Sequence, residues 1–222
     1  MISFTHLPHW VSLQDEMETA KAYGAPIYAE PQGLNANVVR RSAAAGKVIR
    51  DSLEFFPSTE TLMVAHKAMF CESTPLMAGV FRDSIFTYPP TALRAEKRTC
   101  PPSEIKEKLE QLSLKATHAM GEGESKKTWM RGLAAWHAGF MEIHPFKDGN
   151  GRLARTVLNA QMEICFGPRK LQPLDPVEYK KALSDGIDGN WSPLAAIIGK
   201  LQERSQPIEN SPSQSTSQSI SI

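Results

Sequence analysis

One stretch decides both the fold and the chemistry of this chain, and it reads His144-Pro145-Phe146-Lys147-Asp148-Gly149-Asn150-Gly151-Arg152-Leu153-Ala154-Arg155. We call residues 144–155 the signature loop. Its glycine-rich turn runs directly into an apolar helical pattern, so backbone N–H groups and the positive end of a helix dipole converge there. A turn of this kind binds an anion without help from charged side chains.

The residue types in the turn specify which anion. Gly149 and Gly151 can take positive φ and let oxygens approach the backbone closely. Asn150 tolerates a left-handed conformation and adds a side-chain amide donor. Arg152 and Arg155 are three residues apart in the first helical turn, so they share a face, and their planar guanidinium groups suit phosphate oxygens. The sequence therefore predicts a phosphate site.

Two further residues of the signature loop predict chemistry at that site. Asp148 is a hard oxygen ligand, and Mg²⁺ bound to phosphates commonly takes only one or two protein carboxylates. His144 lies just before the anion site, and its near-neutral pKa suits it to remove a proton from an attacking hydroxyl. Phe146, between them, is expected to point into the core and anchor the loop.

The signature loop resembles the Fic family signature, His-x-Phe-x-(Asp/Glu)-Gly-Asn-Gly-Arg-x-x-Arg, at every fixed position. The resemblance extends over about residues 37–203. The segments that carry it are the helix around His66, Gly79-Val80-Phe81-Arg82 at the start of the family's flap, Ala134-Ala135-Trp136-His137 with Phe140, and Tyr179-Lys180-Lys181-Ala182-Leu183 through Gly189 to Pro193-Leu194.

The resemblance implies a protein adenylyltransferase, which moves AMP from ATP to a Ser, Thr or Tyr hydroxyl of a target protein and releases pyrophosphate. His144 would be the general base, and Asp148 would hold Mg²⁺ against the phosphates. Arg155 would bind the γ-phosphate, and Tyr179 matches a position that lines the adenine site. The α- and β-phosphates would lie against Gly149, Asn150, Gly151 and Arg152.

Composition agrees with one folded domain that binds a small anion. The chain has 222 residues, 41% hydrophobic, with a net charge of +1 and no basic block or acidic tail. Nucleic acid and membrane are therefore not predicted partners. The three cysteines, Cys71, Cys100 and Cys165, fit neither a disulfide framework nor a zinc site, which favours a reducing compartment. We expect a cytoplasmic protein, or one delivered into another cell by a route not visible in the sequence.

The chain is predicted to be mainly helical, with one hairpin. Residues 1–36 read as a proline-rich arm, packed on the core or mobile, before a domain over residues 37–203. Helices are predicted over residues 37–53, 59–71, 103–119, 126–143, 151–167 and after Pro176 and Ser192. His137 is expected to be a hydrogen-bonded core histidine. In Fic proteins the hairpin is a flap that clamps the target segment by strand pairing, and here it would span about Ile85 to Arg98.

The serine-rich tail, residues 204–222, is predicted to be disordered. One detail complicates this. Many Fic proteins restrain themselves with a helix reading (Ser/Thr)-x-x-x-Glu-(Gly/Asn), and the tail matches it from Ser205 to Asn210, with Glu209 as the glutamate. An upstream candidate that starts at Ser42 has Gly46 where the glutamate would be needed. If neither works, inhibition would come from a separate small protein or be absent.

Two alternatives to adenylyl transfer stay open from sequence. One is a related Fic transferase that uses another nucleotide or phospho-donor; the intact Gly-Asn-Gly turn argues against a Doc-like kinase. The other is a non-catalytic module that uses the flap to hold a partner; the presence of both His144 and Asp148 argues against it.

Overall fold

The computed structural model describes residues 36–88, 97–121, 125–167, 169–170, 175–204 and 206–207, and their backbone is mainly helical. A 3₁₀ turn, Pro102–Glu104, precedes the third helix. In chain order the helices are α1 (Ala36–Asp51), α2 (Thr59–Phe70), α3 (Ile105–Met120), α4 (Lys126–Ile143), α5 (Asn150–Phe166), α6 (Pro176–Ile187) and α7 (Ser192–Arg204). The predicted fold class is confirmed.

Local sequence signals set several helix ends. The Ser58 hydroxyl accepts the Thr61 N–H at the start of α2, and the Ser125 hydroxyl accepts the Thr128 N–H at the start of α4. The Asp175 carboxylate accepts two backbone N–H groups at the start of α6, which has Pro176 in its first turn. These contacts satisfy donors that a helix N-terminus leaves without intrahelical partners.

Helix α4 is the central element, since it packs against α3, α5, α6 and α7. It separates two hydrophobic clusters: Trp136 and Phe140 belong to the cluster that α1, α2 and α3 enclose, and Leu133 belongs to the one closed by α6 and α7. All three side chains are buried. The core therefore surrounds α4 on several sides, and the signature loop begins where α4 ends.

The expected flap region contains a short antiparallel pairing. Strand β1 (Thr87–Tyr88) pairs with β2 (Lys97–Arg98), and Thr87 lies opposite Arg98. The Thr99 N–H donates to the Phe86 carbonyl at 2.9 Å and extends the pairing by one residue on each side. Residues 89–96, which would form the tip of the flap, lie outside the described residues.

A second short pairing was not predicted from the sequence. Strand β3 (Arg169–Lys170) pairs antiparallel with β4 (Gln206–Pro207). Pro207 is thus extended at a position where the self-inhibition hypothesis would put a first helical turn after Ser205. Glu209 and the rest of the tail lie outside the described residues, as does the N-terminal arm up to residue 35, so the predictions for both stay predictions.

The three cysteines, Cys71, Cys100 and Cys165, are free thiols. Within the described ranges, no helix combines the length and the apolar character that crossing a membrane requires.

Candidate functional site

The signature loop begins with a left-handed residue. His144 ends α4 with φ 53° and ψ 60°, and its N–H donates to the Phe140 carbonyl at 3.0 Å. A non-glycine residue in this region costs about 1–2 kcal/mol. The turn directs the imidazole toward the flap region, where the centroid of its ring lies 5.9 Å from that of Phe86. This strained position is usually filled by glycine, which indicates that the side chain itself matters.

The environment of His144 suits a proton acceptor. Burial lowers the pKa of the imidazole, a hydrogen bond with the Met141 backbone raises it, and the positive charge of Arg82 lowers it again. The net shift is downward, so the ring is neutral at pH 7. Because one ring nitrogen donates to the Met141 backbone, the other keeps a lone pair that can take a proton.

Arg82 ties the flap region to the end of α4. Its guanidinium donates to the carbonyls of Ile143 (3.1 Å), His144 (2.8 Å), Ser84 (2.6 Å) and Cys100 (2.6 Å). The Arg82 side chain is buried, and the last carbonyls of a helix favour a cation. A single side chain therefore fixes the backbone of His144 relative to both sides of the flap region.

His66, on α2, connects the other end of the signature loop to the core. The Gly79 N–H donates to Nδ1 at 2.9 Å, so Nε2 carries the ring hydrogen and donates to the Asp148 carbonyl at 3.1 Å. The ring stacks on Phe146, with centroids 3.9 Å apart, and on Phe70. Burial lowers the pKa of His66, which keeps the neutral form that this pair of hydrogen bonds needs.

Phe146 and Asn150 close the loop on itself. Phe146 is fully buried, as the sequence predicts. The Asn150 amide oxygen accepts the Phe146 N–H at 2.9 Å, and the amide nitrogen donates to the Phe146 carbonyl at 2.7 Å. Asn150 is also the first residue of α5 and is helical, so the left-handed residue is Gly149 instead, at φ 78°. The backbone N–H is then the group that Asn150 can offer to a phosphate.

Gly149 and Asp148 form the exposed face of the turn. No side chain caps the start of α5 after Gly149, so its first N–H groups are available for an anion. The Gly149 N–H donates to Asp148 Oδ1 at 2.6 Å, and Asp148 is exposed. A Cβ at Gly149 would lie 2.3 Å from the Phe70 ring, so only glycine fits there.

The two arginines contact different neighbours. The Arg152 guanidinium lies 4.9 Å from the centroid of the Phe70 ring, a cation–π contact. Arg155 folds back across the first turn of α5 and lies over Gly151. A Cβ added at Gly151 would be only 3.1 Å from Arg155 Nη1. Both guanidinium groups therefore lie beside the helix N-terminus, where an anion is favoured.

Tyr179 reaches this site from α6. It is buried, its hydroxyl lies 2.6 Å from His137 Nε2, and it shares a side-chain hydrogen bond with Arg155. His137 is fully buried and hydrogen-bonded, which confirms the predicted core histidine.

The carboxylate of Asp148 fits a magnesium ion that is held mainly by a bound triphosphate. It is a hard oxygen ligand at the exposed edge of the turn, and the Gly149 N–H engages only its Oδ1. Among the described residues, no cluster of three or more His, Cys, Asp or Glu side chains could hold a metal by itself. A single carboxylate is enough when phosphate oxygens and water supply the other ligands.

Buried histidines predict a loss of stability at acidic pH. Burial lowers the pKa of His66, His144 and His137, the last to about 3, whereas an unfolded histidine titrates near 6.5. The unfolded chain therefore binds more protons below pH 6.5, and stability is complete only above that pH. We expect the free energy of unfolding to fall below pH 6.5, with His137 alone contributing up to about 1.4 kcal/mol per pH unit and His66 and His144 adding in the same direction. Urea unfolding between pH 7.5 and 5.5 measures the slope, and a flat profile would contradict the assignment.

Several of these positioning contacts have no clear signal in the sequence. His66 and Arg82 stand out there only as parts of family-like segments, and nothing in it indicates the bond between Tyr179 and Arg155. The one available signal was the presence of polar residues in otherwise apolar surroundings, such as His66 within Leu62 to Phe70 and His137 within Ala134 to Phe140. Buried polar groups need partners, but the sequence does not say which.

Comparison with known proteins agrees with this geometry. A family model described as Fic/DOC family matches residues 56–162. The chain is 27% identical over 110 residues to the probable protein adenylyltransferase y4lH of Sinorhizobium fredii. The aligned residues are 49% of this chain and 57% of that protein. It is 35% identical over 69 residues to the protein adenylyltransferase Fic of Nematostella vectensis. Those residues are 31% of this chain and 16% of that protein. The chain thus matches only part of each curated relative.

A solved structure shows the same fold. Fic-1 from C. elegans superposes with a TM-score of 0.64 at 22% identity, over 90% of this chain and 65% of that one. The matched family region includes His66, Arg82 and the whole signature loop. Residues 56–162 of this chain therefore form a Fic/DOC family domain.

Proposed function

We propose that this chain is a protein adenylyltransferase that moves AMP from ATP to a hydroxyl of a target protein. The observation that carries the proposal is the juxtaposition of a neutral, partly buried His144 with an anion-binding turn that ends in two arginines. Homology supports it, because two relatives carry the name protein adenylyltransferase.

In the proposed reaction, the target hydroxyl oxygen attacks the α-phosphorus of ATP. The bond from the α-phosphorus to the oxygen that bridges to the β-phosphate breaks, and pyrophosphate leaves with that oxygen. His144 takes the hydroxyl proton on its unprotonated ring nitrogen. Catalysis then consists of positioning and charge stabilisation, with little covalent chemistry asked of the protein.

The chain's own groups would divide the triphosphate between them. The α- and β-phosphates would lie against Gly149 and accept from the backbone N–H groups of Asn150 and Gly151 and from Arg152. Arg155 would bind the γ-phosphate. Asp148 would hold Mg²⁺, which when bound neutralises phosphate charge.

The target segment would add to the short β1–β2 pairing. Phe86, next to β1, contacts the His144 ring, so a strand paired at this edge would place a hydroxyl near the base. Main-chain hydrogen bonds would give the register, and neighbouring side chains would select the target. A separate small inhibitory protein remains a proposed partner.

The position of a radioactive label tests the reaction type. We expect protein-bound label from ATP labelled at the α-phosphate and none from ATP labelled at the γ-phosphate, when the chain is mixed with a protein extract. Label transferred from the γ-phosphate alone would instead identify a kinase. No transfer from either nucleotide, with ATP bound, would favour a non-catalytic target-binding module.

Arg155→Ala is expected to weaken ATP binding about tenfold to a hundredfold and to leave ADP binding nearly unchanged. Losing a hydrogen bond to a charged group costs about 1.5–3 kcal/mol, and ADP lacks the phosphate that this arginine would contact. Calorimetry with both nucleotides measures the difference. Arg131→Ala removes the same charge from an exposed position near the start of α4 and serves as the matched control. Equal ATP affinity in Arg155→Ala and wild type would contradict the assignment.

A further inference from the structure

A buried hydrogen-bond relay runs from α4 through α6 to the second arginine of the signature loop. His137 on α4 and Tyr179 on α6 are 0% and 9% exposed. Tyr179 contacts His137 on one side and Arg155, on α5, on the other. Side chains from three helices, α4, α5 and α6, therefore meet at one phenol hydroxyl.

The direction of each hydrogen bond follows from the donor inventory. A guanidinium has only donors, so Arg155 donates and the Tyr179 oxygen accepts. The Tyr179 hydroxyl then has its own hydrogen to donate, and His137 Nε2 at 2.6 Å accepts it. His137 must be neutral for this. Burial, together with the positive charge of Arg155, lowers the pKa of His137 to about 3, and the Ala154 backbone only partly opposes this.

The tyrosine remains an acceptor rather than losing its proton. Burial raises the pKa of Tyr179, although the Arg155 charge and hydrogen bond oppose that rise. The partner of Arg155 in this relay is therefore a neutral hydroxyl. The Arg155 guanidinium is held from behind by this hydroxyl and lies over Gly151 in front, at the N-terminal end of α5.

We propose that Tyr179, held by His137, is a positioning residue that fixes the Arg155 guanidinium toward the terminal phosphate of a nucleoside triphosphate. This rests on the proposed function, and it differs from the adenine-lining role that family resemblance implies for Tyr179. An arginine side chain has several rotatable bonds, and a fixed orientation reduces the entropy lost when the phosphate binds. Tyr179 would then make the site bind a triphosphate more tightly than a diphosphate, although Tyr179 itself contacts neither nucleotide.

A comparison of ATP with ADP distinguishes the two possible roles of Tyr179, positioning Arg155 or lining the adenine site. Tyr179→Phe keeps the ring and removes only the hydroxyl. If the hydroxyl positions Arg155, calorimetry should show ATP binding about tenfold weaker and ADP binding unchanged. In the Arg155→Ala background the same substitution should change neither affinity, because a coupled pair is not additive.

Several results would overturn the proposal. If Tyr179→Phe weakened the binding of ATP and ADP equally, the hydroxyl would belong to the adenine site, since both nucleotides carry adenine. Unchanged affinities in Tyr179→Phe, or a wild-type chain that binds ATP no tighter than ADP, would also overturn it. A chain that prefers ATP but transfers no AMP would instead contradict the proposed reaction and leave the relay standing, so the two failures are distinguishable.

A measurement on the wild-type chain covers the case in which Tyr179→Phe does not fold. Nitrogen-15 NMR of arginine side chains, with the Arg155 signal assigned through Arg155→Ala, reports rotation of the guanidinium without nucleotide. We expect separate Arg155 Nη signals from hindered rotation below pH 7. A single averaged signal, like that of an exposed arginine, would contradict the relay.

Discussion

Replacement of His144 by alanine is expected to lower AMP transfer by a hundredfold to ten-thousandfold while ATP still binds. The substitution removes the general base, whose contribution is typically of that size, and leaves the phosphate-binding turn in place. Transfer rate and nucleotide affinity, measured on the same preparation, give the two numbers. A variant that transfers AMP at the wild-type rate would refute the role of His144.

A glycine at the same position gives the matched control. His144 lies at φ 53°, which glycine adopts without strain and alanine does not. We expect His144→Gly to be about 1 kcal/mol more stable than His144→Ala, and both to be equally inactive. Inactivity in the better folded variant excludes misfolding as the cause. Equal stability would show that the backbone relaxes out of the left-handed region.

The pH dependence of the wild-type reaction checks the same assignment. Because burial lowers the pKa of His144, the base should become protonated only at a pH below 6.5. The acidic limb of the rate profile should therefore lie below pH 6.5. A limb at or above 6.5 would contradict a buried base.

Gly149→Ala is expected to destabilise the fold and to abolish nucleotide binding. A Cβ at this position would lie 2.3 Å from two atoms of the Phe70 ring, and φ is 78°. Left-handed strain costs about 1–2 kcal/mol and overpacking about 1–3 more. If Phe70 moves instead, the His66 stack and the Arg152 contact are lost with it, and the turn loses its support.

Gly121→Ala separates the strain from the clash. Gly121 ends α3 at φ 69°, and a Cβ there would meet no atom within 4 Å. It should lose only the strain energy and keep full nucleotide affinity. Urea unfolding and calorimetry on both variants make the comparison. If both variants lost the same stability and Gly149→Ala still bound nucleotide, the close contact between Gly149 and Phe70 would not be what requires glycine at position 149.

Much of the fold could be predicted because the signals are local. Helix α4 has the bounds that its periodicity and flanking residues predict, and α5 starts one residue before its predicted position. The signature loop was recognisable because residue types and spacing carry its chemistry. A helix pattern and a glycine turn need only neighbours in sequence to be interpreted.

The contacts that position the site could not be predicted, because they join distant parts of the chain. Arg82 donates to a carbonyl 62 residues away, and His66 to one 82 residues away. Asn150 shows a different limit. Its residue type suggested a phosphate donor, but its amide is bonded to Phe146, and only the folded loop reveals that. The second strand pairing, β3–β4, likewise joins distant segments, Arg169–Lys170 and Gln206–Pro207.

Intact-protein mass spectrometry tests the central claim most directly. The full chain is incubated with ATP and Mg²⁺ beside His144→Gly, and beside Glu209→Gly so that restraint by the tail does not mask activity. The account predicts a mass gain of one AMP per modified site in the wild type or in Glu209→Gly, and none in His144→Gly. A gain of one phosphate, or an AMP gain that persists without His144, would contradict it.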